Sequence, residues 1–294
     1  MPDHADEFLT TKQLAAMLHV KERKIYDLAA ADEIPCTRAT GKLLFRRAAI
    51  EAWLAGRGGR TPQQRTEPPN VVLGSHDPLL EWSLRESGSH LAMFFDGSLD
   101  GVDRLQRGEG IATGLHVFEP ATSEWNTPLV RQRFGAEPVV LLEWAWRERG
   151  LVVAPGNPKG VRAFEDLAGL RVVRRQDTAG SQVLLRHYLE RHLPEPGAVE
   201  FARTVRSEVD AALAVAEGEA DAAFGLHAIA RQYRLDFVPL LRERFDLLIW
   251  RRECFERPLQ RLLGLGTSAD FRAKAASLAG YDASGLGRVH FNGP

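Results

Sequence analysis

The stretch Ala55 to Asn70 is rich in Gly, Arg, Gln, Thr and Pro and has one clearly apolar residue, Ala55. Such a segment cannot bury a face of its own, so it joins two parts that must fold around separate cores. Pro68-Pro69 stiffens its end. At 294 residues with 44% hydrophobic content, the chain has enough apolar side chains for a small domain and a larger one with two lobes. The expected division is residues 1–56, a linker over 57–70, and 71–294, with the second lobe at about 151–240.

In the first part, Thr10 stands three residues before Gln13, the spacing at which each side chain satisfies the other's free backbone N–H at a helix start. Leu14, Met17 and Leu18 then give one apolar face. His19-Val20-Lys21 is short enough to turn into a second helix running to about Ala31, which is helix-turn-helix spacing. Ile34–Thr37 and Leu43–Arg46 flank a turn, Arg38-Ala39-Thr40-Gly41-Lys42, and read as a two-stranded wing. Ile50, Trp53 and Leu54 predict a closing helix.

Charge adds to this pattern. From Lys12 to Arg60 there are ten Lys and Arg against five acids, while the whole chain carries −1. A charge run alone is most often a solvated face. Here the charges coincide with the helix-turn-helix spacing and the wing, which points to double-stranded DNA. The expected contacts are Lys21, Arg23, Lys24 and Tyr26 on the second helix, and Arg38 and Lys42 on the wing.

Leu9-Thr10-Thr11-Lys12-Gln13-Leu14-Ala15, Val20, Lys24-Ile25-Tyr26, Ile34-Pro35, Gly41, Phe45-Arg46-Arg47 and Ile50-Glu51-Ala52-Trp53-Leu54 together resemble the excisionase-type branch of the MerR-like winged helix domains. That resemblance implies DNA binding through the second helix and wing. Cys36 and Ala39-Thr40 depart from the common wing pattern, so no operator preference carries over.

From Val71 onward, short apolar runs alternate with helical patterns, the order expected of an α/β domain with mainly parallel strands. Candidate strands are Val71–Leu73, Leu91–Phe95, Ile111–Val117, Val139–Glu143, Leu151–Ala154, Arg171–Val173, Ala222–Gly225, Phe237–Pro239 and Asp246–Trp250. An internal echo suggests two lobes of similar make. Gly108-Glu109-Gly110-Ile111-Ala112-Thr113-Gly114-Leu115-His116 recurs, with one extra residue, as Gly218-Glu219-Ala220-Asp221-Ala222-Ala223-Phe224-Gly225-Leu226-His227. Both His residues then leave strand carboxyl ends, the edge where open α/β sheets bind ligands.

Three further segments, Ser75-His76-Asp77-Pro78, Asp96-Gly97-Ser98 and Thr178-Ala179-Gly180-Ser181-Gln182, each follow a strand and open a helix. Singly each is an ordinary cap. Converging, their hydroxyls and helix-start N–H groups make a cage for an anion.

Ser75-His76-Asp77-Pro78, Phe95-Asp96-Gly97-Ser98-Leu99-Asp100-Gly101, Gly114-Leu115-His116, Asn126-Thr127-Pro128-Leu129-Val130, Ala154-Pro155-Gly156-Asn157-Pro158-Lys159-Gly160 and Leu235-Asp236-Phe237-Val238-Pro239-Leu240 resemble the periplasmic-binding-protein-like domain found fused to bacterial helix-turn-helix regulators. The fold class implied is α/β, a small winged helix-turn-helix followed by a two-lobed domain. Relatives of that domain bind oxyanions, notably molybdate and tungstate. Carried over by position, Ser75, Ser98 and Ser181 would supply hydroxyls, with His116 and His227 as further donors. His76, Asp77, Asn126, Arg175, Thr178, Gly180 and Gln182 complete the expected ligand set. Where relatives often end a Gly-Ser-Gly-Thr-Arg run, this chain has Gly180-Ser181-Gln182. A fixed positive charge is therefore missing, and Asp77 and Asp177 add negative ones, which makes a polar or amine-bearing organic ligand more credible.

Catalytic readings fare poorly. The chain has no HExxH, no metal-spaced Cys pair, no P-loop ending after Gly156–Gly160 and no Gly-x-Ser-x-Gly elbow. No enzyme activity, no resident cofactor and no metal are expected, only a bound oxyanion. The acidic N-terminus and the lack of an 18-residue apolar run lead to an expectation of a cytoplasmic protein without membrane contact. Cys36 and Cys254 fit a reducing compartment. The expected whole is a one-component transcriptional regulator and, since such modules read paired half-sites, a homodimer. Two alternatives stay open: a cytoplasmic solute-binding protein with a vestigial basic segment, and a degenerate large domain used only for dimerisation.

Overall fold

A computed structural model describes residues 8–31, 33–39, 42–57 and 68–294, the side chains of 38, 39, 52 and 54–57 excepted. The expected linker residues 58–67, the Thr40-Gly41 turn and the side chains of Arg38 and Leu54 lie outside the described residues. Contacts divide the chain into two units, Met1–Thr66 and Glu67–Pro294.

The first unit runs β1 (Phe8–Thr10), α1 (Thr11–Met17), α2 (Glu22–Ala30), β2 (Thr37–Ala39), β3 (Lys42–Arg46) and α3 (Arg47–Arg57). Its antiparallel sheet has the order β1-β3-β2. The capping box forms: Gln13 N donates to Thr10 Oγ1 at 3.3 Å and Thr10 N donates to Gln13 Oε1 at 2.8 Å. Leu9, Leu14, Ile25, Phe45 and Ile50, one each from β1, α1, α2, β3 and α3, form the core together with Ile34. A helix-turn-helix with a β2–β3 wing is the result.

The second unit runs β4 (Val71–Gly74), α4 (Pro78–Glu86), β5 (Ala92–Phe95), α5 (Ser98–Gln106), β6 (Ala112–Leu115), β7 (Phe118–Glu119), β8 (Glu124–Trp125), α6 (Thr127–Phe134) and β9 (Val139–Val153). It continues through β10 (Arg171–Arg175), α7 (Gly180–His192), β11 (Glu200–Val205), α8 (Glu208–Ala216), β12 (Ala222–Leu226), α9 (His227–Gln232) and β13 (Asp236–Trp250). Helices α10 (Arg257–Leu265) and α11 (Ala269–Ser277) and short strands β14 (Tyr281–Asp282) and β15 (Val289–Asn292) complete it.

The main sheet has the order β11-β10-β12-β9-β13-β6-β4-β5. The first lobe is built on β4, β5 and β6, which pair in parallel, and the second on β10, β11 and β12, also parallel. Neighbouring residues along a strand feed opposite faces: Val72 packs with Leu79 and Trp144, Leu73 with Val102 and Phe134. In the second lobe, Val152 and Val173 pack on one face, and Leu151, Val153 and Val172 on the other. In each lobe both faces of the sheet thus carry buried apolar side chains, as its parallel pairing requires.

Two expectations are corrected here. Val139–Glu143 and Leu151–Ala154 belong to one fifteen-residue strand, β9; Phe237–Pro239 and Asp246–Trp250 belong to another, β13, and the two pair antiparallel along their length. The apolar runs were interrupted by Glu143, Arg147, Arg149, Glu243 and Asp246. These charges are buried and each has a partner: Arg147 and Arg149 pair with Glu243, Glu143 with His290 and Asp246 with Arg244, so the strands pass through them unbroken. Each copy of the internal echo flanks this central ladder, with β6 on β13 and β12 on β9.

Candidate functional site

Ser75 leaves the end of β4 and Ser98 opens α5, and their hydroxyls meet at 2.8 Å. Ser98 Oγ also accepts the backbone N–H of His116, which follows β6, at 3.2 Å. The three strand exits of the first lobe are thus tied at one point. From the second lobe, α7 brings its first residue against this cluster. A Cβ on Gly180 would stand 2.7 Å from the His116 carbonyl oxygen and 2.9 Å from Ser98 Oγ, so only glycine permits that approach. Further bonds join the lobes: Leu99 N donates to the Thr178 carbonyl at 3.1 Å, Gln176 Nε2 and Thr178 Oγ1 donate to the Asp96 carbonyl, and Arg206 pairs with the Asp96 carboxylate at 3.1 Å.

Between the lobes lies a cavity of about 120 Å³, lined by Ser75, His76, Phe95, Gly97 and His116 from the first lobe and by Arg175, Ala179, Ser181, Arg206, Ser207 and Glu208 from the second. That is room for a solute of a handful of non-hydrogen atoms.

Behind the wall runs a chain of buried ion pairs. Asp77 caps α4 through Leu80 N at 2.7 Å, and its Oδ2 accepts from Arg147 Nη1 at 2.9 Å and from the Tyr281 hydroxyl at 2.7 Å. Burial, then Asp77, push the Tyr281 hydroxyl well above its ordinary range, so it stays a donor. Arg147 also pairs with Glu243, and Glu243 Oε2 accepts from Arg149 Nε at 2.7 Å. Arg149 reaches Glu208 Oε1 at 3.0 Å, and the same oxygen lies 3.3 Å from Arg175 Nη1. Signs alternate along this line and balance, so each buried charge has its partner. Burial works to raise the Glu243 pKa, but Arg147, Arg149 and His116 outweigh it and hold the carboxyl well below its usual range.

His116 Nδ1 lies 3.0 Å from Glu243 Oε2. Burial lowers the His116 pKa more than Glu243 raises it, so the ring is neutral at pH 7. A carboxylate only accepts, which places the proton on Nδ1 and leaves Nε2 an acceptor.

Of the expected ligand residues, Ser75, His76, His116, Arg175 and Ser181 line the cavity. Ser98, Thr178 and Gly180 sit at the lobe contact just described. Gln182 turns back, its Oε1 accepting the Arg175 N–H at 2.8 Å. Asp77 is spent on the helix cap and Arg147. Asn126, with φ 60°, accepts Val117 N at 2.6 Å and donates to Asp246 at 2.8 Å, so it holds the chain after β6 rather than the cavity. His227 stacks on Phe237, with centroids 4.5 Å apart, and pairs with Glu148 at 2.8 Å, also off the wall. Phe95, Arg206, Ser207 and Glu208 were not among the expected residues. Ser207 and Asp210 have the same cap spacing used elsewhere, and Ser207 does cap α8, so that signal was present.

On the first unit, Lys21, Arg23, Lys24 and Tyr26 are exposed along the start of α2, opposite Ile25 and Ala29, which are buried. Lys42 is exposed on β3.

A profile of the PBP superfamily domain matches residues 81–266, more than half of the chain, and one of a helix-turn-helix domain matches 8–58. The chain belongs to the PBP superfamily. Its PBP domain follows a helix-turn-helix, and both matched families are binding rather than catalytic families. The protein named Uncharacterized protein YvgK of Bacillus subtilis (strain 168) is 26% identical over 302 residues, covering 95% of this chain and 96% of that one. A Clostridium pasteurianum protein named for the 5′ region of a 2Fe-2S ferredoxin gene is 33% identical over 91 residues, 30% of this chain and 80% of that one. Among solved structures, one described as a phosphate ABC transporter substrate-binding protein with bound phosphate, from Clostridium perfringens, superposes with a TM-score of 0.51 at 12% identity. It covers 70% of this chain and 96% of its own, and the likeness is one of fold. Among the described residues, no helix is long and apolar enough to cross a membrane.

Proposed function

We propose that this chain is a ligand-responsive transcriptional regulator: the helix-turn-helix binds operator DNA, and the PBP domain closes on a small solute presenting anionic oxygen. The observation that carries the reading is the interlobe cavity, where Ser75, Ser181 and Arg175 from both lobes face one small volume, on a chain that also carries a helix-turn-helix domain. Oxyanions fit that description, and the family resemblance implies molybdate or tungstate among them. A second reading, a small organic metabolite with an amine, is favoured by the carboxylate of Glu208 in the wall. A homodimer reading two half-sites follows from the way helix-turn-helix modules use DNA. The site residues proposed are those on the cavity wall together with Ser98, Thr178 and Gly180.

The test is thermal unfolding of the full chain with molybdate, tungstate, sulfate, phosphate and small metabolites. A true ligand at 100 times its dissociation constant adds about 2.7 kcal/mol to the native state and raises the midpoint by several degrees. If no solute moves the midpoint, the sensor reading fails.

A further inference from the structure

β5 is the last strand of the main sheet, and its outer edge has no neighbouring strand among the described residues. Ala92 N donates to the Asn70 carbonyl at 2.9 Å, so the backbone of residue 92 faces β4. Backbone groups alternate sides along a strand, so those of Leu91, Met93 and Phe95 face outward. Leu91 N meets Ser89 Oγ at 3.4 Å, and nothing among the described residues meets Met93 or Phe95 on that side. The side chains are open as well: Met93 is 37% and Phe94 44% exposed, on opposite faces of the sheet, and no charge lies between His90 and Asp96. The Arg104 guanidinium, matched by Asp100 and Glu109, covers one face of the Phe94 ring. β11, at the other end of the sheet, is guarded: its exposed Phe201 lies between Glu200 and Arg203, Arg203 pairs with Glu219 at 2.6 Å, and the register on β10 shifts.

A free, uncharged edge is a template for another strand. Resting on the reading of the chain as a homodimer, we infer that a second copy of this chain covers it, β5 pairing antiparallel with β5 about a two-fold axis through Met93. An axis perpendicular to the sheet keeps every side chain on its own face, so it must pass through a residue rather than between two. About Met93, that residue meets its own copy, Ala92 meets Phe94 and Leu91 meets Phe95. Every pair is apolar, and the outward groups of Leu91, Met93 and Phe95 all find partners. An axis through Phe94 would set Ala92 against Asp96, which is already held by Arg206 and through its carbonyl by Gln176 and Thr178. It would also set Leu91 against Gly97, where φ of 115° has ended the strand.

Two observations select a second copy as the occupant. The edge complements itself in this register, and the chain enters the PBP domain beside it, at Asn70. Strands about 4.8 Å apart that rise about 3.3 Å per residue set the two Asn70 residues about 20 Å apart in the paired sheet. Half-sites on DNA lie about 34 Å apart, and the stretch 58–67 of each copy is long enough to make up the difference.

The experiment is analytical ultracentrifugation of the full chain, without and with duplex DNA flanking the encoding gene, for the wild type, Met93→Lys, Met93→Glu and an equimolar mixture of the two variants. Each variant sets like charges opposite each other on the axis and should raise the dimer dissociation constant about tenfold or more. The mixture sets Lys against Glu and should dimerise again, as expected of a residue that faces its own copy. Met93 is exposed and lies off the cavity wall, so an unchanged thermal midpoint checks that each variant is folded. A wild-type dimer that both variants leave intact means that another surface pairs: the inference falls and the homodimer reading stands. Monomeric variants whose mixture stays monomeric also overturn the inference, because β5 then meets something other than itself. A wild type that is monomeric with and without DNA removes both readings. Hydrogen exchange on the wild type needs no variant to fold: the Met93 and Phe95 amides should slow as concentration rises through the dimer dissociation constant, and equal exchange in monomer and dimer overturns the inference.

Discussion

At the residue scale, burial decides what a side chain can do more than its identity does. Asp246 on β13 accepts from Asn126 at 2.8 Å and from Arg244 at 2.9 Å, yet burial outweighs both and pushes its pKa up to about 6. In the unfolded chain an Asp titrates at about 4. The folded state therefore binds this proton more tightly, and the contribution to stability is full below about pH 4 and is lost as pH rises through about 6. Compared with Asp246→Asn, the wild type should lose about 3 kcal/mol between pH 4 and pH 7, read from denaturant unfolding of both proteins at each pH. Any offset from the amide itself does not vary with pH, so a constant difference between the two would refute the assignment. Gly180 and Gln182 show the other side of the point. Both were expected as ligand groups, but one acts by lacking a side chain and the other by binding the Arg175 backbone.

At the scale of elements, helix starts do most of the positioning. α5, α7 and α8 each begin at a strand exit, and their first residues, Ser98, Gly180 and Glu208, meet at or beside one cavity. In the first unit the same economy applies to α2, whose exposed face gathers Arg23, Lys24 and Tyr26 while Ile25 anchors the other side. Arg23→Ala with Lys24→Ala removes two exposed cations from that face. Fluorescence anisotropy on DNA flanking the encoding gene should show weaker binding and a slope of log affinity against log salt reduced by about two. Loss of affinity with an unchanged slope would mean that these side chains do not reach phosphates.

For the whole molecule, the long β9–β13 ladder and the buried line Asp77–Arg147–Glu243–Arg149–Glu208–Arg175 join the two lobes of the PBP domain through one continuous sheet. A solute that bridges the lobes selects one arrangement of this ladder, and it changes DNA affinity only by as much as its affinity differs between arrangements. The coupling is reciprocal. If a solute changes operator affinity by about tenfold, operator DNA must change solute affinity by the same factor, and the two titrations, run on the same full chain, should agree. Solute binding that leaves DNA affinity untouched would separate the two activities and sink the regulator reading.

The sequence alone determined the helix-turn-helix from the Thr10–Gln13 cap and the apolar spacing behind it, and the α/β character of the larger domain. These are local properties: a cap or a period is legible within a dozen positions. It also marked Ser75, Ser98 and Ser181, because a Ser after a strand and before a helix is a local signal too. What tertiary structure decided was continuity and compensation. β9 and β13 each read as two strands because Arg147, Arg149 and Glu243 interrupt the apolar pattern, and only their pairing across distant segments makes burial tolerable. Glu208 likewise reads as an ordinary first-turn acid. Its place in the cavity wall depends on where α8 meets Arg149 and Arg175, and the net charge that a ligand encounters is a sum over residues that only the fold brings together.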